Sequence, residues 1–283
     1  MSDTSPRGGT LRTGDGRGLR TIEHGSGPDL VVCEAGLGAA GASWGAVFDQ
    51  LGTELRAVAY DRAGYGRSDP APGPRDLARL AEDLLTVIDG TPHERLVLVG
   101  HSWGGPVVRL AAATLHARGH AVAGLVLVDA SDELADMYFT RTVQVMNRAQ
   151  GVLLPVLARA GLLAPLQRRV TPQLPEPYAG EFLAAVSTIE YARTVRAESA
   201  HIARGLRALQ LDPPQIADVP ATVLSGRLAG GLGRRRRDEL TAAHRLRAAR
   251  HEQGRFVAAE RSGHVIVASE PELVAQEICR LLS

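Results

Sequence analysis

Lysine is absent from the chain: all 32 basic residues among the 283 are arginine. That excludes a Schiff-base lysine and a lysine general base. Cysteine is scarce. Cys33 falls in an apolar run with strand character and Cys279 in a terminal helical pattern, without partners at disulfide or metal-ligand spacing; both read as buried free thiols, and no metal is expected. An excess of charge is lacking too, and a net charge of +1 implies no long-range attraction to nucleic acid or an anionic membrane. No stretch is long and apolar enough to span a bilayer. Residues 1–18 are polar, rich in Gly, Arg and Ser and without an apolar signal segment, so they read as the disordered tail of a cytoplasmic protein. What the chain does have is 45% hydrophobic residues, enough for one large α/β domain carrying an insertion.

The most informative stretch is Leu96-Val97-Leu98-Val99-Gly100-His101-Ser102-Trp103-Gly104-Gly105. Its short, continuous, Val-rich start suits a strand buried on both faces of a parallel sheet, and Val107 to Leu115 is long and Ala-rich enough for a helix. Ser102 therefore sits on the turn between them. A sharp strand-to-helix turn exposes its central side chain, and small residues two before and two after it let strand and helix approach; Gly100 and Gly104 meet that need. The pattern Gly-x-Ser-x-Gly recurs at Gly41-Ala42-Ser43-Trp44-Gly45. That copy follows a Gly/Ala-rich loop instead of a strand end, so Ser43 reads as a helix-capping serine.

Further buried strands are expected at Asp29–Ala35, Arg56–Tyr60, Gly124–Val128, Ala221–Gly226 and Arg255–Ala259, with a weaker edge strand at Arg17–His24. Leu77, Leu80, Ala81, Leu84, Leu85 and Ile88 recur at helical spacing, and Pro271–Leu282 reads as a closing helix. Strands alternating with helices imply a doubly wound, mostly parallel α/β sheet. The alternation stops over residues 131–212, where Glu133–Arg148, Val152–Ala160 and Gly180–Arg207 read as helices separated by Pro-rich turns. The expected organisation is a core of residues 19–130 and 213–283 and a helical cap of residues 131–212, either simply packing on the core or acting as an apolar lid over a pocket.

With these motifs in place, the chain resembles serine hydrolases of the α/β-hydrolase superfamily. The likeness rests on Gly36-Leu37-Gly38, Tyr60-Asp61-Arg62-Ala63-Gly64-Tyr65-Gly66-Arg67-Ser68, Gly100-His101-Ser102-Trp103-Gly104-Gly105, and Ser262-Gly263-His264 with Glu270-Pro271-Glu272. The resemblance implies Ser102 as nucleophile, His264 as general base, and the backbone N–H groups of Leu37 and Trp103 as the oxyanion hole. The chemistry agrees, since a serine hydroxyl needs a neighbouring imidazole and the oxyanion needs fixed donors. His101 should point elsewhere, and the other seven histidines read as surface residues.

This sequence departs from the superfamily at two places. Glu34-Ala35-Gly36 stands where His-Gly is common, so Glu34 either accepts backbone hydrogen bonds in the loop or is a tolerated variant. The strand ending at Ser225-Gly226, which the acid of the triad usually follows, is followed by no carboxylate before Asp238. Asp129, at the end of the strand after the elbow helix, is the leading alternative, ahead of Asp132 and Asp238; its competing reading is a turn aspartate that accepts backbone N–H bonds. Arg234-Arg235-Arg236-Arg237, without aromatic neighbours, reads as a solvated or carboxylate-paired loop and not a nucleic-acid patch. Dehalogenase and epoxide-hydrolase activity is disfavoured, because the resemblance to those enzymes would require aspartate at position 102. The expected function is cleavage of an ester, thioester or lactone of a largely apolar small molecule through an acyl-enzyme, without a cofactor. Acyl transfer or cyclisation with the same residues, or a non-catalytic binding module, are the alternatives, and the oligomeric state is not legible.

Overall fold

The structure, a computed structural model, describes residues 7–170, 174–229 and 233–283. Eight strands, β1 (Thr10–Arg12), β2 (Gly18–His24), β3 (Leu30–Glu34), β4 (Arg56–Tyr60), β5 (Leu96–His101), β6 (Gly124–Val128), β7 (Ala221–Gly226) and β8 (Gly254–Ala259), form one sheet in the order β1-β2-β4-β3-β5-β6-β7-β8. The pairs from β4 to β8 are parallel, and β2 is antiparallel to both β1 and β4. β3 and β5 to β7 are buried along their whole length, which is why they read as unbroken apolar runs. Strand order reverses at β3, and such a reversal opens a crevice beyond the carboxyl ends of the strands.

Helices cover both faces. On one, α2 (Leu77–Asp89) and α3 (Gly104–Ala117) bury the residues their spacing predicts, including Leu80, Leu84, Val107 and Ala111. Asp76 caps α2 by accepting from the Arg79 N–H at 3.0 Å, as a capping carboxylate should. α9 (Arg234–Ala249) packs on β7 and β8. The other face carries α1 (Gly45–Phe48), α10 (Ile266–Ser269) and α11 (Pro271–Leu281). Between β6 and β7 come α4 (Arg141–Arg159), α5 (Leu163–Val170), α6 (Tyr178–Ala185), α7 (Ile189–Ser199) and α8 (Ile202–Leu211). No described helix is long and apolar enough to cross a membrane.

Several expectations need correction. Of the tail expected over residues 1–18, residues 1–6 lie outside the described part, while Thr10–Arg12 pair with Gly18–Arg20 as the outermost strand. Arg17 fastens this hairpin by donating to both oxygens of buried Asp83 at 3.1 and 2.7 Å. The break expected near Gly151 does not occur: α4 runs through it, and a side chain there would come within 3.1 Å of Arg196 Cγ on α7, so the glycine marks close helix contact. Conversely, the single helix expected over Gly180–Arg207 is three, with Thr188 Oγ1 accepting from the Tyr191 N–H at 2.9 Å to start α7 afresh. Cys279 is exposed, since it lies on the solvent side of α11.

Candidate active site

The sheet register assembles the site. His101 pairs with Val128 across β5 and β6, so Ser102 and Asp129, one residue beyond each strand, emerge side by side. Both have positive φ, 51° and 40°, and no other non-glycine described residue does. Backbone strain of this kind persists only where its surroundings hold it. Here the Ser102 N–H donates to Val128 O at 3.0 Å and the Asp129 N–H to Leu224 O at 2.9 Å. The elbow needs its glycines: a Cβ on Gly100 would lie 2.6 Å from Gly104 O, and one on Gly104 would lie 2.4 Å from Glu34 O.

His264, in the loop after β8, bridges the two strand ends. Its Nε2 lies 2.9 Å from Ser102 Oγ and its Nδ1 2.7 Å from Asp129 Oδ2. Asp129 is fully buried and also accepts from the Gly226 N–H at 3.0 Å and from both terminal nitrogens of Arg237, at 2.6 and 3.0 Å. Burial pushes its carboxyl upward, yet the hydrogen bonds from His264 and Arg237 outweigh burial and hold it well below the usual carboxylate range. Of the other carboxylates considered, Asp132 is tied to Arg247 at 2.8 and 3.0 Å, and Asp238 is exposed on α9.

The sequence reading placed the side chain of His101 elsewhere, but its Nε2 lies 2.9 Å from His264 O and the two rings are 5.0 Å apart. Burial lowers the His101 pKa to about 4, so the ring is neutral and Nε2–H donates to that carbonyl, fixing the His264 loop. Two of the histidines read as surface residues are buried. Of these, His244 spans Ser225 Oγ at 2.9 Å and Ala130 O at 2.8 Å, beneath the Asp129 turn.

The loop after β3 brings Leu37 to the same place. Among the described residues neither the Leu37 nor the Trp103 N–H has a hydrogen-bond acceptor, so both are available to an oxyanion. Buried Arg62 grips this loop from behind, Nη1 donating to Ala35 O at 2.7 Å and Nη2 to Gly36 O at 2.8 Å. The same guanidinium meets Glu34 at 2.8 Å and Glu198 of α7 at 2.8 and 3.1 Å. Glu34 thus pairs with a side chain and not with the backbone amides considered for it. Arg62 was visible only as part of a motif; its need for buried counterions was the missed signal.

Two cavities meet at Ser102 and His264. One, of about 210 Å³, is lined by Trp103, Met137, Val143, Met146, Ile202 and Leu240 among others; the second, of about 270 Å³, lies under Leu174, Phe182, Val265 and Val267. Both include Leu37. Ser43 lines the second and makes no capping bond to the 3-10 turn that contains it, so its expected capping role is absent.

This arrangement can deprotonate a serine beside two free N–H donors, and comparison with known proteins gives the class. Residues 24–277 match the alpha/beta hydrolase family, and the chain belongs to that family: it is an enzyme of the hydrolase type. The fold superposes on an esterase from Exiguobacterium antarcticum with a TM-score of 0.72 at 21% identity, covering 98% of this chain and all of the other. It also superposes on a bromoperoxidase from Bacillus anthracis, TM-score 0.69 at 16% identity over 98% and 99% of the two chains. Similarity at these identities establishes the shared architecture, on which different chemistries are built. In sequence, a protein named "Putative carbamate hydrolase RutD" from Variovorax paradoxus is 39% identical over 107 residues, 36% of this chain and 38% of that one. The matches to such relatives span about a third of their length, 31–38% in the cases compared.

Proposed function

We propose that the protein is a serine hydrolase of small carboxylic esters, thioesters or lactones, acting through an acyl-enzyme on Ser102. The observation that carries this reading is the unbroken relay from Ser102 Oγ through the His264 ring to Asp129, at 2.9 and 2.7 Å. In the first half-reaction His264 Nε2 takes the hydroxyl proton as Ser102 Oγ attacks the carbonyl carbon. The tetrahedral oxyanion is held by the Leu37 and Trp103 N–H groups, and the imidazolium passes its proton to the departing alkoxide or thiolate. In the second, a water loses a proton to His264, attacks the acyl carbon, and Ser102 leaves as the protonated hydroxyl. Asp129 stays ionised throughout, fixing the tautomer of His264 and stabilising the imidazolium.

The helical segment 131–212 acts in this scheme as a cap, whose Val143, Met146 and Ile202 give one cavity its apolar wall and whose Leu174 and Phe182 cover the other. The limited likeness to a carbamate hydrolase keeps carbamates within the same chemistry, since they present a similar carbonyl. Fluorophosphonate labelling followed by peptide mapping, together with turnover of a panel of p-nitrophenyl esters and carbamates, tests the reading. Modification at Ser102, and a loss of roughly 10⁴-fold or more in kcat for Ser102→Ala and His264→Ala, is expected. Unimpaired turnover by Ser102→Ala would refute it.

A further inference from the structure

The four arginines that open α9 occupy three environments. Arg234 and Arg235 are exposed, and Arg237 is held by Asp129. Arg236, half-buried, lines the cavity of about 210 Å³ that contains Ser102. Its guanidinium touches the Met146 sulfur at 3.9 Å, and among the described residues no carboxylate pairs with it. By contrast, the buried arginines Arg17, Arg62, Arg75, Arg109, Arg237 and Arg247 each face an Asp or Glu. A second donor lining the same cavity, the Asn147 side-chain amide, likewise has no partner among the described residues. Of the other polar groups there, the Tyr138 hydroxyl neighbours Ser131.

A guanidinium at the wall of an apolar cavity, partly exposed and without an ion-pair partner among the described residues, can meet an anion without breaking an existing pair. The planar guanidinium fork matches a carboxylate, binding both oxygens at once. One guanidinium and one amide suit a monoanion with two oxygens better than a phosphate, whose second charge and third oxygen would find no donor here. We propose that this cavity binds a free carboxylate on the substrate, with Arg236 as its anchor. The substrate class is then an ester carrying a second, ionised carboxyl group, such as the half-ester of a dicarboxylic acid. This rests on the reading of Ser102 as the nucleophile, which shares the cavity.

Binding without turnover separates the two ideas. Calorimetric titration of the Ser102→Ala protein with monomethyl esters of the succinate-to-suberate series, each against its dimethyl ester, measures the contribution of the free carboxylate. For the best-fitting chain length the monoanion is expected to bind roughly tenfold or more tightly than the neutral diester, as a charge-assisted hydrogen bond would provide. Adding Arg236→Gln should bring that ratio to about one, and adding Arg235→Gln, on the exposed side, should leave it as it was. Equal affinities across the series, no binding of any monoanion, or a preference that survives Arg236→Gln would each overturn the proposal. Hydrolysis of the same half-esters by the unaltered enzyme is scored separately. Selective binding without hydrolysis would refute the acyl-enzyme reading and leave the carboxylate site standing, while hydrolysis indifferent to the free carboxylate would do the reverse.

Discussion

Arg237 and Asp129 form a two-pronged ion pair, 2.6 Å from Nη1 to Oδ1 and 3.0 Å from Nη2 to Oδ2, with both side chains buried. Oδ2 is also the atom that meets His264. The orientation of the carboxylate is therefore determined by a second partner besides the imidazole, a cation whose fork leaves the plane of the carboxylate little freedom.

Removing that cation strands a buried charge. Arg237→Met is expected to lower stability by roughly 3–5 kcal/mol, and Arg237→Lys to recover part of the loss through a single point contact. Urea denaturation of the three proteins checks this, and coincident midpoints for the wild type and Arg237→Met would contradict it.

The three carboxylates considered for the triad should separate by what they affect. Asp129→Asn is expected to reduce kcat on an activated ester by roughly 10⁴-fold with the fold retained. Asp132→Asn, which loosens the contacts to Arg247 and Arg109, should show mainly in the melting temperature. Asp238→Asn should change stability by no more than about 0.5 kcal/mol, as exposed substitutions do. Steady-state kinetics and thermal melts on the set distinguish these outcomes.

His101 gives stability a dependence on pH. Its folded-state pKa is about 4, below the unfolded value of about 6.5. The unfolded chain therefore takes up a proton between these values that the folded protein refuses. The stabilisation is intact above about pH 6.5 and lost as pH falls, amounting to about 3 kcal/mol between pH 7 and pH 4. His101→Gln, which can still donate to His264 O, should flatten the curve by that amount. Unfolding free energies of both proteins at several pH values measure the difference, and parallel curves would rule the effect out.

Arg62→Gln tests the support behind the loop that carries Leu37. Losing the grip on Ala35 O and Gly36 O should let the Leu37 N–H drift from the reacting oxygen and lower kcat by roughly 10²-fold, comparable to removal of one oxyanion donor. KM should change much less, because the cavities do not include Arg62. A loss confined to KM would argue that the loop keeps its position without it.

The sheet was legible because its central strands are continuous apolar runs and its turns are marked by glycine. Ser102 was marked because it follows a strand end between two glycines, and His264 because it stands in the loop after the last strand. The face of α9 that packs inward was not legible: Arg237, Leu240, Thr241, Ala243, His244, Arg247 and Ala248 are buried at helical spacing, but only three of these seven are apolar, and two of the three are alanine. A search for apolar periodicity passes over such a face, although the 3.6-residue recurrence was present in polar and charged residues. The Arg run was accordingly read as a solvated or carboxylate-paired loop, and its last member proved to hold Asp129. The divisions within the helical segment were obscured for a different reason: Gly151 and Thr188 have opposite meanings, one admitting a neighbouring helix and the other starting a new one, and only tertiary packing distinguishes them.

The link from Arg62 to Glu198 bears on how this enzyme could be shortened. Excising residues 131–212 to obtain a minimal catalyst would remove Glu198 and with it two of the contacts that neutralise Arg62, directly behind the backbone that carries Leu37. Exchange of this segment with that of a relative would meet the same obstacle unless an acidic residue arrived at the matching turn of α7. Redesign by swapping modules therefore has to treat Arg62, Glu34 and Glu198 as a single inherited unit.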